Sequence, residues 1–78
     1  MLKRDIKKII EEMEIDEEVL FQCNDINGWR IDRVKRRKDD YTIFSKGQCW
    51  IDQMPTIYNP KQVLKIIWSE KPYSYTVL

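Results

Sequence analysis

The sequence contains no histidine and no alanine, only two glycines and two cysteines, and almost no net charge. Each shortage excludes something. Acid–base chemistry near neutral pH most often uses imidazole, and there is none. Cys23 or Cys49 as a nucleophile would lack its usual base, and two distant cysteines cannot fill the four positions of a tetrahedral zinc site. Gly28 and Gly47 stand far apart, so no glycine-rich loop can cradle a phosphate. Asp39-Asp40 falls in an expected exposed turn, where carboxylates make poor acids. A metal-dependent nuclease wants carboxylates and a lysine on adjacent strand positions, yet the one Asp-x-Lys, Asp5-Ile6-Lys7, lies on an expected helix. No enzyme activity, cofactor or metal is expected.

Other absences place the chain. No apolar run reaches the roughly 18–20 residues of a membrane span. The start, Met1-Leu2-Lys3-Arg4-Asp5, is charged at once and lacks a signal peptide's apolar region. A cytoplasmic protein is expected, with Cys23 and Cys49 as buried free thiols beside Phe21 and Trp50. The lack of alanine, with abundant isoleucine and lysine, matches codons rich in A and T. That compositional association points to a low-GC bacterium or one of its phages.

At 78 residues, 42% of them apolar, the chain supports one thin core and a single domain over 1–78. Leu2, Ile6, Ile9, Ile10 and Met13 form a helical stripe from Leu2 to about Glu14. Val19–Cys23 reads as a strand, and Asn27-Gly28 is a hairpin signal. Trp29-Arg30-Ile31-Asp32 alternates, but Val34 is out of phase with Trp29 and Ile31, so a bulge near Asp32-Arg33 is expected. Arg36–Asp40 reads as a turn and Tyr41–Phe44 as a third strand, closed by Lys46-Gly47. One more short strand fits around Cys49-Trp50-Ile51. Asn59-Pro60 opens a second helix, with Val63, Leu64, Ile67 and Trp68 as its stripe and Lys71-Pro72 as its stop. The tail, Tyr73–Leu78, alternates and can add an edge strand.

The expected fold is therefore α+β: a helix, a three-stranded antiparallel meander with room for a short extra strand, a second helix and an extended tail. Double-stranded-RNA-binding domains and HicA-type toxins share this order of elements, an analogy of order alone. Such toxins depend on a histidine in the sheet, which is missing here. The RNA-binding domains place a lysine cluster at the start of the last helix, where only Lys61 and Lys65 stand.

Two charge blocks stand out. Arg30, Arg33, Lys35, Arg36, Arg37 and Lys38 crowd one hairpin arm and its tip. Glu11, Glu12, Glu14, Asp16, Glu17 and Glu18 follow the basic start of the first helix, against the helix dipole. Of the three tryptophans, Trp29 and Trp68 are expected in the core and Trp50 as an exposed anchor. These features point to a small non-catalytic module that docks on a larger protein and modulates it; given a phage or mobile-element origin, it would inhibit a host or defence protein. The expected contact residues are Arg33, Lys35, Arg36, Arg37, Lys38, Trp50, Glu11, Glu14, Glu17 and Glu18. The alternative is a nucleic-acid-binding module using the basic hairpin Arg30–Lys38, against which the net charge of +1 argues. Since neither metal nor disulfide is expected, melts with a chelator, or with and without reductant, should coincide. A Tm drop beyond about 5 °C, roughly 1 kcal/mol at this size, would sink that expectation.

Overall fold

The computed structural model describes residues 1–51 and 53–78. Helix α1 (Lys3–Glu11) leads into the strands β1 (Glu18–Asp25), β2 (Gly28–Arg36), β3 (Tyr41–Gly47) and β4 (Thr56–Tyr58). Helix α2 (Pro60–Ile67) and strand β5 (Ser74–Val77) complete the α+β fold. The strands form one sheet in the order β4-β3-β2-β1-β5, and each neighbouring pair is antiparallel. No helix among the described residues is long and apolar enough to cross a membrane.

Local chemistry explains the elements. The α1 stripe buries Ile6 and Ile10, and Met13 just beyond it is buried too. The N-cap Asn59 accepts from the Gln62 N–H at 3.1 Å and Gln62 returns the bond, with Pro60 as the first helical residue. At the β1–β2 turn Gly28 takes a φ of +108°, which only glycine adopts cheaply. Gly47 is needed for another reason. A Cβ there would lie 2.2 Å from the Trp50 Nε1, because the indole rests on the glycine.

The sheet shows where the sequence expectations fail. The β1–β2 register runs unbroken from Glu18↔Lys35 to Asp25↔Gly28, so there is no bulge at Asp32-Arg33. Instead Arg30, Asp32, Val34 and Arg36 face the helices, and Trp29, Ile31, Arg33 and Lys35 face the other way. The bulge would let Val34 share a face with Trp29 and Ile31, but Val34 alone of the three faces the helices. Asp32 is buried, 2% exposed, accepting from the Arg30 Nε at 2.9 Å and the Ser45 Oγ at 2.5 Å. Trp29 is consequently half-buried on the opposite face and outside the core, contrary to expectation. The extra strand lies at Thr56–Tyr58. At Cys49–Ile51 the chain makes a single bridge, Lys46↔Ile51, because it folds over the sheet end to seat Trp50. Cys49 is exposed there, while Cys23 is buried as expected, and both thiols are free. Helix α2 ends at Ile67, ahead of Lys71-Pro72, and the tail is a paired strand.

Both helices are tied down at their C-terminal ends by an arginine and a tyrosine of the sheet. Tyr41 donates to the Ile10 carbonyl at 3.1 Å, and Arg36 donates to the Met13 carbonyl. The Ile67 carbonyl accepts from Arg30 at 2.5 Å and from the Tyr75 hydroxyl at 2.8 Å. The Ile67 bonds satisfy a carbonyl that a helix end leaves without a partner, and the other two fix the exit of α1 on the sheet. Burial works against the Arg30 charge, but the Asp32 carboxylate outweighs it and raises its pKa. Burial, and then the Cys23 neighbour, push the Tyr75 phenol well above its usual range, so it stays a donor. Trp68 stacks on Tyr75 with ring centroids 4.7 Å apart.

If Asp32 holds β2 in phase, Asp32→Ala should cost about 3 kcal/mol in urea unfolding. That is the lower end for a buried pair, since the Arg30 side chain remains 27% exposed. A loss below about 1 kcal/mol, the size of an average substitution, would mean that the pair does not set the phase.

Candidate functional site

Because both helices pack on one side, the opposite side of the sheet has no covering element among the described residues. The register places Leu20 and Gln22 of β1, Ile31 and Arg33 of β2, and Phe44 and Lys46 of β3 side by side on it. Arg33 lies between Leu20 and Phe44, with its guanidinium 5.1 Å from the centre of the Phe44 ring. Lys46 pairs with Ile31 on one side and Ile51 on the other. Trp29 closes one end of this face, and at the other Lys35 sits between Glu18 and Thr42. Ile57 of β4, 56% exposed, extends the face beyond Thr42. The result is an apolar and aromatic surface interleaved with Arg33, Lys35 and Lys46.

The expected contact residues do not form one surface. Arg33 and Lys35 belong to the helix-free face. Arg36 points to the helix side and holds the Met13 carbonyl. At the tip Arg37 pairs with Asp40 at 3.2 Å, and Lys38 is exposed beside them. Trp50, 47% exposed, lies at the far end of the sheet, where it helps line a groove of about 390 Å³ with Trp29, Arg30, Gln48 and Cys49.

The acidic residues have local tasks. Glu11 makes an exposed ion pair with Lys7 at 3.8 Å. The Glu17 carboxylate accepts from the Glu14 N–H at 3.1 Å, closing a turn in which Asp16 takes a φ of +69°. The Asp16 N–H then donates to the Arg36 carbonyl, and Arg36 donates back to the Glu17 carbonyl. Glu18 faces Lys35 across the ladder. The acidic and basic blocks, separate in sequence, meet at one corner and offset each other. Arg33 and Lys46 are different, since their ladder neighbours are all apolar.

Sequence reasoning missed Leu20, Ile31, Phe44, Lys46 and Ile57 as partners of Arg33. They come from four strands, and strand pairing alone unites them. Alternation within Tyr41–Lys46 could have found Phe44 and Lys46, had β2 been given the right phase. Comparison with known proteins finds no matching family model, no matching curated protein and no matching solved structure.

The contrast between cations is measurable. Arg33→Glu with Lys46→Glu should shift stability by less than about 0.5 kcal/mol each, as exposed substitutions do. Arg36→Ala should cost about 1.5 kcal/mol, the worth of a charged hydrogen bond, and leave α1 more susceptible to proteolysis. Equal melts for all three would contradict the division of the basic block into structural and surface parts.

Proposed function

We propose that this chain is a small non-catalytic binding module that docks on a larger protein through the helix-free face of its sheet. The observation that carries this reading is the surface itself: Leu20, Ile31, Phe44 and Ile57 in register with Arg33, Lys35 and Lys46, with no covering element among the described residues. An apolar centre with aromatic and arginine side chains is the usual composition of an interface core. The fitting partner presents apolar side chains rimmed by carboxylates. Such cations steer the encounter and fix the register more than they add affinity. The module acts in the cytoplasm, where a free exposed Cys49 stays reduced. Modulation or inhibition of a host or defence protein follows if the phage-like composition reflects its origin.

A second reading has one observation in its favour. Phe44, Trp29, Arg33 and Lys46 on an open sheet also suit stacking of unpaired bases and contact with phosphates. Against it stand the net charge of +1 and the carboxylates set against the hairpin tip.

The immobilised chain should retain one protein from a low-GC bacterial lysate, and Arg33→Glu/Lys46→Glu should weaken that capture by roughly 100-fold or more, since charge reversal against an acidic partner costs several kcal/mol. Fluorescence anisotropy with single-stranded and duplex DNA and RNA should show nothing tighter than the non-specific range of about 10⁻⁴–10⁻⁶ M at physiological salt. Unchanged capture by the double variant would remove the face from consideration, and nanomolar nucleic-acid binding would promote the second reading.

A further inference from the structure

The two edges of the sheet are built differently. The edge strand β4 spans Thr56–Tyr58 and is bracketed by Pro55 and Pro60, so it offers little to an incoming strand. β5 lacks such protection. Pro72–Leu78 contains no charged side chain, and Ser74–Val77, with one tyrosine and two β-branched residues, pairs without a bulge. Edges of monomeric proteins normally carry a lysine, a proline or a bulge to prevent pairing.

The backbone phase of β5 is fixed by its bond to β1. The Leu78 N–H donates to the Leu20 carbonyl at 3.0 Å, and the register pairs Thr76 with Gln22 and Ser74 with Asn24. In an antiparallel ladder alternate residues bond to the same neighbour. Tyr75 and Val77 therefore direct their N–H and C=O groups away from β1, toward the open edge.

We propose that β5 pairs antiparallel with β5 of a second copy of this chain, across a twofold axis through Thr76, joining the two sheets into one. In that register Tyr75 exchanges both backbone bonds with Val77 of the second copy, and Val77 with its Tyr75. The side chains agree with the backbone. Thr76 meets Thr76 on the helix-free side, a favourable cross-strand pair. Val77, 36% exposed, comes against Tyr75 on the helix side. Charge selects a copy of this chain as the occupant. A twofold axis sets each charged side chain near it against its own like, and Pro72–Leu78 has none. Face-to-face pairing of two copies through the helix-free side would instead oppose Arg33, Lys35 and Lys46 to one another. The edge and that face are separate surfaces, so this inference does not rest on the proposed binding role.

Sedimentation velocity of the full chain between about 1 μM and about 1 mM, the range of weak to moderate association, tests the pairing. The wild type is expected to shift from monomer to dimer within it. Thr76→Lys sets two ammonium groups against each other and should remain monomeric, with an unchanged circular dichroism spectrum because the side chain is exposed. Val77→Pro removes an outward N–H without touching the β1 ladder and should also remain monomeric. Hydrogen exchange of the Tyr75 and Val77 amides should slow as the wild type dimerises and stay fast in Thr76→Lys. If one variant unfolds, the other decides. A wild type that is monomeric throughout, or a dimer that persists in a folded variant, overturns the proposal.

Discussion

The arrangement depends on the decision to bury a carboxylate. Asp32 faces the helices between Phe21 of β1 and Ser45 of β3, and Arg30 beside it reaches on to the last carbonyl of α2. Turning β2 over would place Trp29 and Ile31 in the core, each worth about 1.5–3 kcal/mol if fully buried. It would also expel the fully buried Val34, strip the Met13 carbonyl of its arginine donor and leave the Ile67 carbonyl with Tyr75 alone. Unsatisfied buried groups cost about 1–3 kcal/mol apiece, so the terms on the two sides are of similar size. The polar pair and its continuation to the helix ends decide the phase. An apolar stripe on the outer face is the consequence.

This is why the fold was more legible than the surface. Ile6, Ile10 and Met13 mark α1, Asn59-Pro60 marks the start of α2, and Asn27-Gly28 marks the hairpin, each by a local rule that packing did not override. β4 escaped because Thr56–Tyr58 is too short for alternation to register. The phase of β2 escaped because reading alternation assumes that apolar side chains point inward. Once Trp29 is assigned to the core, Phe44 and Lys46 cannot be placed beside Arg33, and the helix-free face does not emerge. Arg33 and Lys35 stand out as cations in the sequence, but their apolar neighbours come from other strands and are visible only through the register.

The charge blocks carry a related lesson. In sequence the acids of Glu11–Glu18 and the bases of Arg30–Lys38 look like two opposed poles. In the fold the turn at Asp16 brings them together: Glu18 stands opposite Lys35 and the Asp16 and Glu17 backbone bonds to Arg36, while at the hairpin tip Arg37 pairs locally with Asp40. Exposed pairs of this kind contribute little stability, a few tenths of a kcal/mol at most in many cases. Their effect is to cancel the field at that corner. The surface potential is then set by cations without acidic neighbours, Arg33 and Lys46, which occupy the middle of the apolar face.

The helix side holds the core. Its carbonyls are capped by Arg30, Arg36, Tyr41 and Tyr75, and its apolar groups meet one another in one cluster. What the fold leaves unsatisfied lies elsewhere: an outward row of backbone groups on β5 and an apolar face with cations. The two are perpendicular to each other, since an edge points along the sheet and a face points out of it. A strand added at β5 would extend the sheet without hiding the face. Two copies joined there would present two helix-free faces on the same side of one continuous sheet. A partner with repeated or symmetric sites would then meet the second face at an effective concentration set by the sheet's rigidity, and avidity could exceed the affinity of either face without any new contact.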